Sequence, residues 1–349
     1  MVFKFTAFQK LKQSVLFLSF LGLLVFGEVA SAQETAKKRF ALSTVEMGVN
    51  LNFVVYGDSA PVAEKAIRQA IEQVQKCNAI FSDYSQDSEI SRLARSASNK
   101  PVPVSDTLLE VLERSRDLHQ STAGAFDVTL GSLTLLWRKA RREQKKPNPQ
   151  LLETALSVAG LERLEINASD QTIKIPAGMK FDFGGIVKGF AADLALASLR
   201  ESGMPNAFVD LGGDIAIGDA PPGKPGWKIA IAPLDKTGPV SRYVTVSNCG
   251  VATSGDTAQF VEIDGARYSH ILDPRTGLGL QRRASVTVIA GDATQADALA
   301  SAFSVMPEDE VRRYLKTQKS QASFLLQQRL AGKCVECTGG PFPMIENQR

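Results

Sequence analysis

Residues 296–303 read Ala-Asp-Ala-Leu-Ala-Ser-Ala-Phe, and no other run constrains this chain as tightly. Small, helix-compatible residues predict a helix over residues 293–305. A helix sets Asp297 and Ser301, four positions apart, on one face and one turn apart. A carboxylate and a hydroxyl at that spacing are hard oxygen donors, suited to a magnesium-bound phosphate better than to a redox metal. Upstream, residues 250–277 gather small residues, hydroxyls, an acid and His270, one of only two histidines, in what read as loops beside apolar strands. Val-Ala-Thr-Ser-Gly at residues 251–255 reads as amides and hydroxyls for a phosphate, or as a polar turn.

Residues 1–32 predict a secretory leader. Lys4, Lys10 and Lys12 precede an apolar run over residues 15–26, and Ala30-Ser31-Ala32 stands before Gln33 as a cleavage site. The apolar run is short for a membrane span, and no cysteine offers a lipid anchor. The expected mature chain is exported, periplasmic and not membrane-inserted. Its roughly 317 residues suffice for one large domain. The formal charge is +3, and Lys4, Lys10, Lys12 and Glu28 carry most of it, so no nucleic-acid footprint is expected. The basic run Arg138–Lys146 reads as a solvated helix end and loop. Cys334-x-x-Cys337 offers a disulfide in an oxidising compartment; a structural zinc needs four ligands, and a thioredoxin-like setting is missing. Cys77 and Cys249 read as buried small apolar residues.

Periodicity predicts a strand or hairpin over residues 39–56 and amphipathic helices over 61–81 and 105–122, with Ser105 as N-cap. Asp87 or Ser88 caps a short helix. Further helices are expected at 150–158, 187–202, 293–305 and 307–317. A hairpin is expected at 164–175, with strands at 179–183, 206–211, 227–232, 243–246, 259–263, 284–289 and 322–326. The mixture predicts an α+β or α/β protein with largely antiparallel sheet.

Phe181-Asp182-Phe183-Gly184-Gly185-Ile186-Val187-Lys188 runs through two glycines into a helix. Helix N-terminal amides favour an anion there, and Lys188 is one turn in; a plain strand-to-helix turn is the other reading. Gly212-Gly213-Asp214 reads as a tight turn. His119 reads as a surface or core-edge residue without a role.

Together these segments resemble the ApbE family, the FAD:protein FMN transferases. Five blocks carry the resemblance in fixed order over residues 40–310: Glu46-Met47-Gly48; Ser82 to Arg92; Gly124 to Gly131 with Leu136-Trp137; Asp182 to Asp193; and Ala252 to Asp256 through Tyr268 to Gly277 and on to Ala296-Asp297. The resemblance implies an ApbE-like, T-fold-related α+β domain, its sheets packed by helices, over residues 33–330. A tail over residues 331–349 falls outside the family pattern. It also implies Mg²⁺-dependent transfer of FMN from FAD to a serine or threonine hydroxyl of an acceptor flavoprotein, with release of AMP. By resemblance, Asp297, Ser301 and the Gly185 carbonyl hold the magnesium. Met47, Tyr84, Ala125, Phe126, Asp127, Asp182, Lys188, Thr253 and Ile271 contact FAD, and His270 is the general base. Serine stands at 301 where the family commonly has threonine, which keeps the oxygen with a less fixed rotamer. An FAD pyrophosphatase, in which water replaces the acceptor hydroxyl, and a non-catalytic FAD-binding module are the other readings.

Overall fold

Alternating apolar residues close the first hairpin, Lys38–Glu46 against Val49–Gly57, with Leu51, Phe53 and Val55 buried on one face. Met47 (φ 51°) and Gly48 (φ 75°) make its turn, the left-handed pair that matches the twist of a two-residue hairpin. The computed structural model describes residues 37–96, 99–234, 242–255, 259–318 and 321–347. The expected leader and Asp256 lie outside these described residues.

The hairpin opens an eight-stranded antiparallel sheet. It continues, in spatial order, through Ala207–Leu211, Asp214–Ile217, Cys249–Gly255, Ala284–Ala290, Ser323–Leu330 and Lys333–Gly339. The helices are α1 (Ala60–Phe81), α2 (Glu89–Ser96), α3 (Asp106–Ser121), α4 (Gly131–Glu143), α5 (Pro149–Ser157), α6 (Val187–Glu201), α7 (Ala293–Val305) and α8 (Glu308–Thr317). Ser88 Oγ accepts from Ser91 N–H (3.2 Å) and Ser105 Oγ from Leu108 N–H (3.2 Å), so both serines cap as expected. One face of the sheet carries α6 and α7, with α1 packed on α6. On the other face a small sheet of Trp227–Ala230, Arg242–Val246 and Glu346–Asn347 buries Trp227, Ile229 and Val244 against Val251, Ile289 and Leu325. Covered on both sides, Ala284–Ala290 is buried along its whole length.

A second core joins α4 and α5 to the hairpin Phe260–Ile263/Ala266–Ser269 through Leu133, Trp137, Val261, Ile263 and Tyr268. Trp137 Nε1–H donates to the Gly277 carbonyl (2.8 Å), which pins the 273–277 turn to α4. The fold is therefore α+β with antiparallel sheets packed by helices. Among the described residues no helix is long and apolar enough to cross a membrane.

The structure departs from the sequence reading at several places. Residues 249–255 form an interior strand, not a loop. Gly250 runs beneath the start of α7, where a Cβ would stand 2.2 Å from the Asp292 carbonyl oxygen, so only glycine fits there. Residues 179–183 are extended but join no ladder. They lie against the start of α4 instead, with Gly131 N–H donating to Lys180 O (3.0 Å) and Asp182 N–H to Val128 O (2.8 Å). The basic run is not wholly solvated, because Arg138 is only 20% exposed. Finally, Cys334 and Cys337 are free thiols on one extended strand. Three residues of strand separate their Cα atoms by about 10 Å, beyond the roughly 7 Å a disulfide can bridge. Cys77 is buried, and burial pushes its thiol up to about 12.

Candidate active site

Helix α7 is clamped at its start by two aspartates. Asp292 Oδ1 accepts from Gln295 N–H (2.7 Å) as the helix's own cap. Asp193, from α6, accepts from Ala293 N–H (3.0 Å), Thr294 N–H (2.8 Å) and the Thr294 hydroxyl (2.6 Å). The two helices touch at Gly189, where a Cβ would stand 2.1 Å from the Ala293 carbonyl oxygen and 2.9 Å from Asp297 Cβ. That approach lets Gly189 N–H donate to Asp297 Oδ2 (3.2 Å).

Asp297 is consequently 3% exposed. Burial, and then the nearby Asp214, push its carboxyl up to about 7, against the pull of Lys188. One turn on, Ser301 Oγ lies 3.3 Å from Ser254 Oγ, and a Cβ on Gly185 would stand 2.8 Å from it. A carboxylate, a hydroxyl and the Gly184-Gly185 backbone thus meet at one spot. A carboxyl driven toward protonation by burial, with hard oxygens around it, fits a divalent cation such as Mg²⁺.

Lys188, one turn into α6, pairs with the buried Asp214 at the end of the Gly212-Gly213 turn. Burial works against the ammonium charge, but Asp214, Asp297 and Asp210 outweigh it and hold Lys188 protonated above the usual lysine range. Asp182 is tied into its own turn, accepting from Gly184 N–H (2.9 Å) and the Thr134 hydroxyl (2.6 Å). Asp127 likewise organises its loop, accepting from Thr129 N–H (2.7 Å), the Thr129 hydroxyl (2.6 Å) and Leu161 N–H (3.2 Å). Thr253 Oγ1 shares a hydrogen bond with Thr287 across the sheet (2.9 Å).

His270 follows the strand Ala266–Ser269, and its Nδ1 meets the Gln259 carbonyl oxygen at 3.1 Å. With Nδ1–H donating there, Nε2 keeps its lone pair. Burial lowers the imidazole below its ordinary value; the Gln259 bond opposes this, and Arg141 and Lys188 reinforce it.

Met47, Tyr84, Ala125, Phe126, Asp127, Asp182, Gly185, Lys188, Thr253, His270, Ile271, Asp297 and Ser301 all line one cleft of about 890 Å³. The cleft volume suits a ligand of dinucleotide size. Phe126 and Ala125 are buried in its wall, whereas Tyr84 stands 81% exposed at the rim. Sequence reading missed Asp83, Arg138 and Arg141 as lining residues, offered Ser254 only within the 251–255 hydroxyl run, and gave Asp214 only a turn. Arg138 pairs with Asp83 (2.6 Å) and lays its guanidinium 4.6 Å from the centre of the Tyr84 ring. A signal existed: Thr134, Arg138 and Arg141 share one face of α4 at i, i+4 and i+7, and all three face the cleft.

Residues 47–326 match the ApbE family. The chain is 33% identical over 282 residues to the FAD:protein FMN transferase of Vibrio cholerae, covering 79% of this chain and 84% of that protein. It is 30% identical over 292 residues to the FAD:protein FMN transferase of Haemophilus influenzae, covering 80% and 84%. Among solved structures, the flavin transferase ApbE from Vibrio cholerae superposes with a TM-score of 0.78 at 28% identity, covering 87% of this chain and 97% of that one. Apo Pseudomonas stutzeri flavinyl transferase ApbE gives 0.75 at 25% identity, covering 86% and 95%.

Proposed function

This chain belongs to the ApbE family, and from that premise we propose that it is an FAD:protein FMN transferase. It moves FMN from FAD onto a serine or threonine hydroxyl of an acceptor flavoprotein, depends on Mg²⁺, and releases AMP. The leader-like residues 1–32 support export and action in the periplasm. One observation carries the reading: a single cleft brings together a hard-oxygen donor set, a protonated lysine and a histidine whose Nε2 makes no hydrogen bond among the described residues.

Asp297, Ser301 and the Gly185 carbonyl are the residues that would hold Mg²⁺. Bound there, the ion supplies charge neutralisation to a pyrophosphate. Lys188 adds a fixed positive charge in the same wall, and the Asp214 pair keeps it aimed and ionised. Phe126 and Ala125 offer an apolar wall, and Tyr84 a ring face already in contact with Arg138. The acceptor oxygen bonds to the FMN-side phosphorus as the bond to the bridging oxygen breaks, and that oxygen leaves with AMP. His270 Nε2 takes the hydroxyl proton.

The test incubates purified protein with FAD, Mg²⁺ and a serine- or threonine-bearing acceptor flavoprotein, followed by mass spectrometry. A covalent FMN increment on the acceptor with stoichiometric AMP is expected. FMN and AMP free in solution, with no adduct on any acceptor, would make the protein a pyrophosphatase. Intact FAD with no turnover would make it a binding module.

A further inference from the structure

We propose that His119, Asp127 and Glu162 form a second divalent-metal site, of the zinc class, on the far side of the Gly124–Asp127 loop from the Asp297 centre. One ligand atom from each residue lies within 4.8 Å of the other two. The three groups converge without bonding to one another. His119 Nε2 stands 3.5 Å from Glu162 Oε2, longer than a sound N–H···O hydrogen bond, while Asp127 Oδ2 comes nearest the other ring nitrogen, at 3.6 Å from Nδ1, and turns toward Nε2 to share an ion. Ligands sharing a tetrahedral ion at about 2.0–2.1 Å stand roughly 3.4 Å apart, which is the spacing between Nε2 and the Glu162 oxygen.

The surroundings resemble those of a metal histidine. His119 Nδ1–H donates to the Phe126 carbonyl oxygen (2.9 Å), fixing the tautomer with Nε2 free, as the outer shell of a ligating imidazole does. Asp127 is 3% exposed and oriented by Thr129 and Leu161, with lone pairs left on Oδ2. Gly160 (φ 119°) makes room for Glu162, since a Cβ there would stand 2.4 Å from Glu162 Oε1. Two carboxylates balance the charge of a divalent ion. One imidazole nitrogen among oxygens favours zinc over magnesium. The three residues also border a second cleft of about 310 Å³, which leaves a further coordination position open to solvent. Because Asp127 lines both clefts, an ion here would brace the loop that walls the larger one.

The experiment strips the protein with chelator and returns it to buffer containing millimolar Mg²⁺. A Cys334→Ser/Cys337→Ser background removes competition from the two free thiols of the last long strand. Zn²⁺ is then titrated against a chromophoric chelator. One Zn²⁺ per chain is expected, its affinity falling at least about tenfold in Glu162→Gln and about a hundredfold in His119→Gln, since removing a direct ligand costs no less than removing an outer-shell partner. Glu162 is 65% exposed, so its replacement leaves the fold intact even if the His119 variant fails to fold. Absence of Zn²⁺ binding at micromolar concentrations, or an affinity unchanged in Glu162→Gln, overturns the proposal.

Discussion

In the proposed reaction, protonation of His270 and protonation of Asp297 would each impair the chemistry, in different ways. Burial lowers His270, so its neutral, proton-accepting form persists below the ordinary imidazole value and is lost only as pH falls through that lower point. Burial raises Asp297 to about 7, so its ionised form predominates only above neutrality, and a metal ion must displace a proton to bind below it. The acid limb of the transfer rate should therefore move to lower pH as Mg²⁺ rises, then stop at a limb set by His270. His270→Ala should slow transfer by about 10²- to 10⁴-fold with little change in FAD affinity. Rate profiles at low and high Mg²⁺ check both; an acid limb indifferent to Mg²⁺ would remove Asp297 from the metal. At this scale the sequence was informative for Asp297 and Ser301, whose spacing on one helix places them together. It was silent on the pairing of Lys188 with Asp214, which sit on different elements and meet only because the Gly212-Gly213 turn (φ 68° and 100°) folds Asp214 back toward α6.

What positions those residues is the pair of helices α6 and α7. Asp193 satisfies two backbone donors and a hydroxyl at the start of α7, and Arg282 holds its other end, donating to the Ser304 and Met306 carbonyls (2.5 and 3.1 Å). Asp193→Ala would leave those buried donors unpaired, at a cost of about 2–4 kcal/mol. It would also weaken Mg²⁺ binding, because Asp297 and Ser301 ride on the released helix. Denaturant unfolding and magnesium titration of the variant test this; a loss below about 0.5 kcal/mol would mean that the helix holds without the clamp. Helices α1 and α3 were legible from their apolar spacing, and α7 from its run of small residues. The strand Cys249–Gly255 was not, for a reason seen at Gly250 and Gly189. Where a helix passes at backbone distance, the elements beneath it must be built of Gly, Ala, Ser and Thr, and that composition reads as loop when the covering helix is out of view.

Across the whole molecule, the C-terminal residues beyond the family match bear on the same centre. Lys333–Gly339 pairs with Ser323–Leu330 as the edge of the eight-stranded sheet, and Gly339 is seated on the Phe324 ring, 2.4 Å from where its Cβ would stand. Glu336 accepts from Gln327 (2.7 Å) and Arg242 (2.9 Å), tying the large sheet to the small one. Phe324 in turn meets Phe303 of α7 edge-on, with ring centres 6.0 Å apart. A continuous packed path thus runs from the tail to the helix that carries Asp297. Ending the chain at Leu330 would uncover Phe324 and leave Ser323–Leu330 as a bare edge, losing on the order of 3–5 kcal/mol and raising the tendency to aggregate. Cys334→Ser/Cys337→Ser should instead leave the melting midpoint unchanged with or without reductant, because the strand holds the two thiols apart. Thermal melts of the full chain, the shortened chain and the double serine variant separate the possibilities. A shortened chain as stable as the full one would reduce the last strand to a surface addition, and a midpoint that falls with reductant only when both cysteines are present would mean that the strand opens to let them bond.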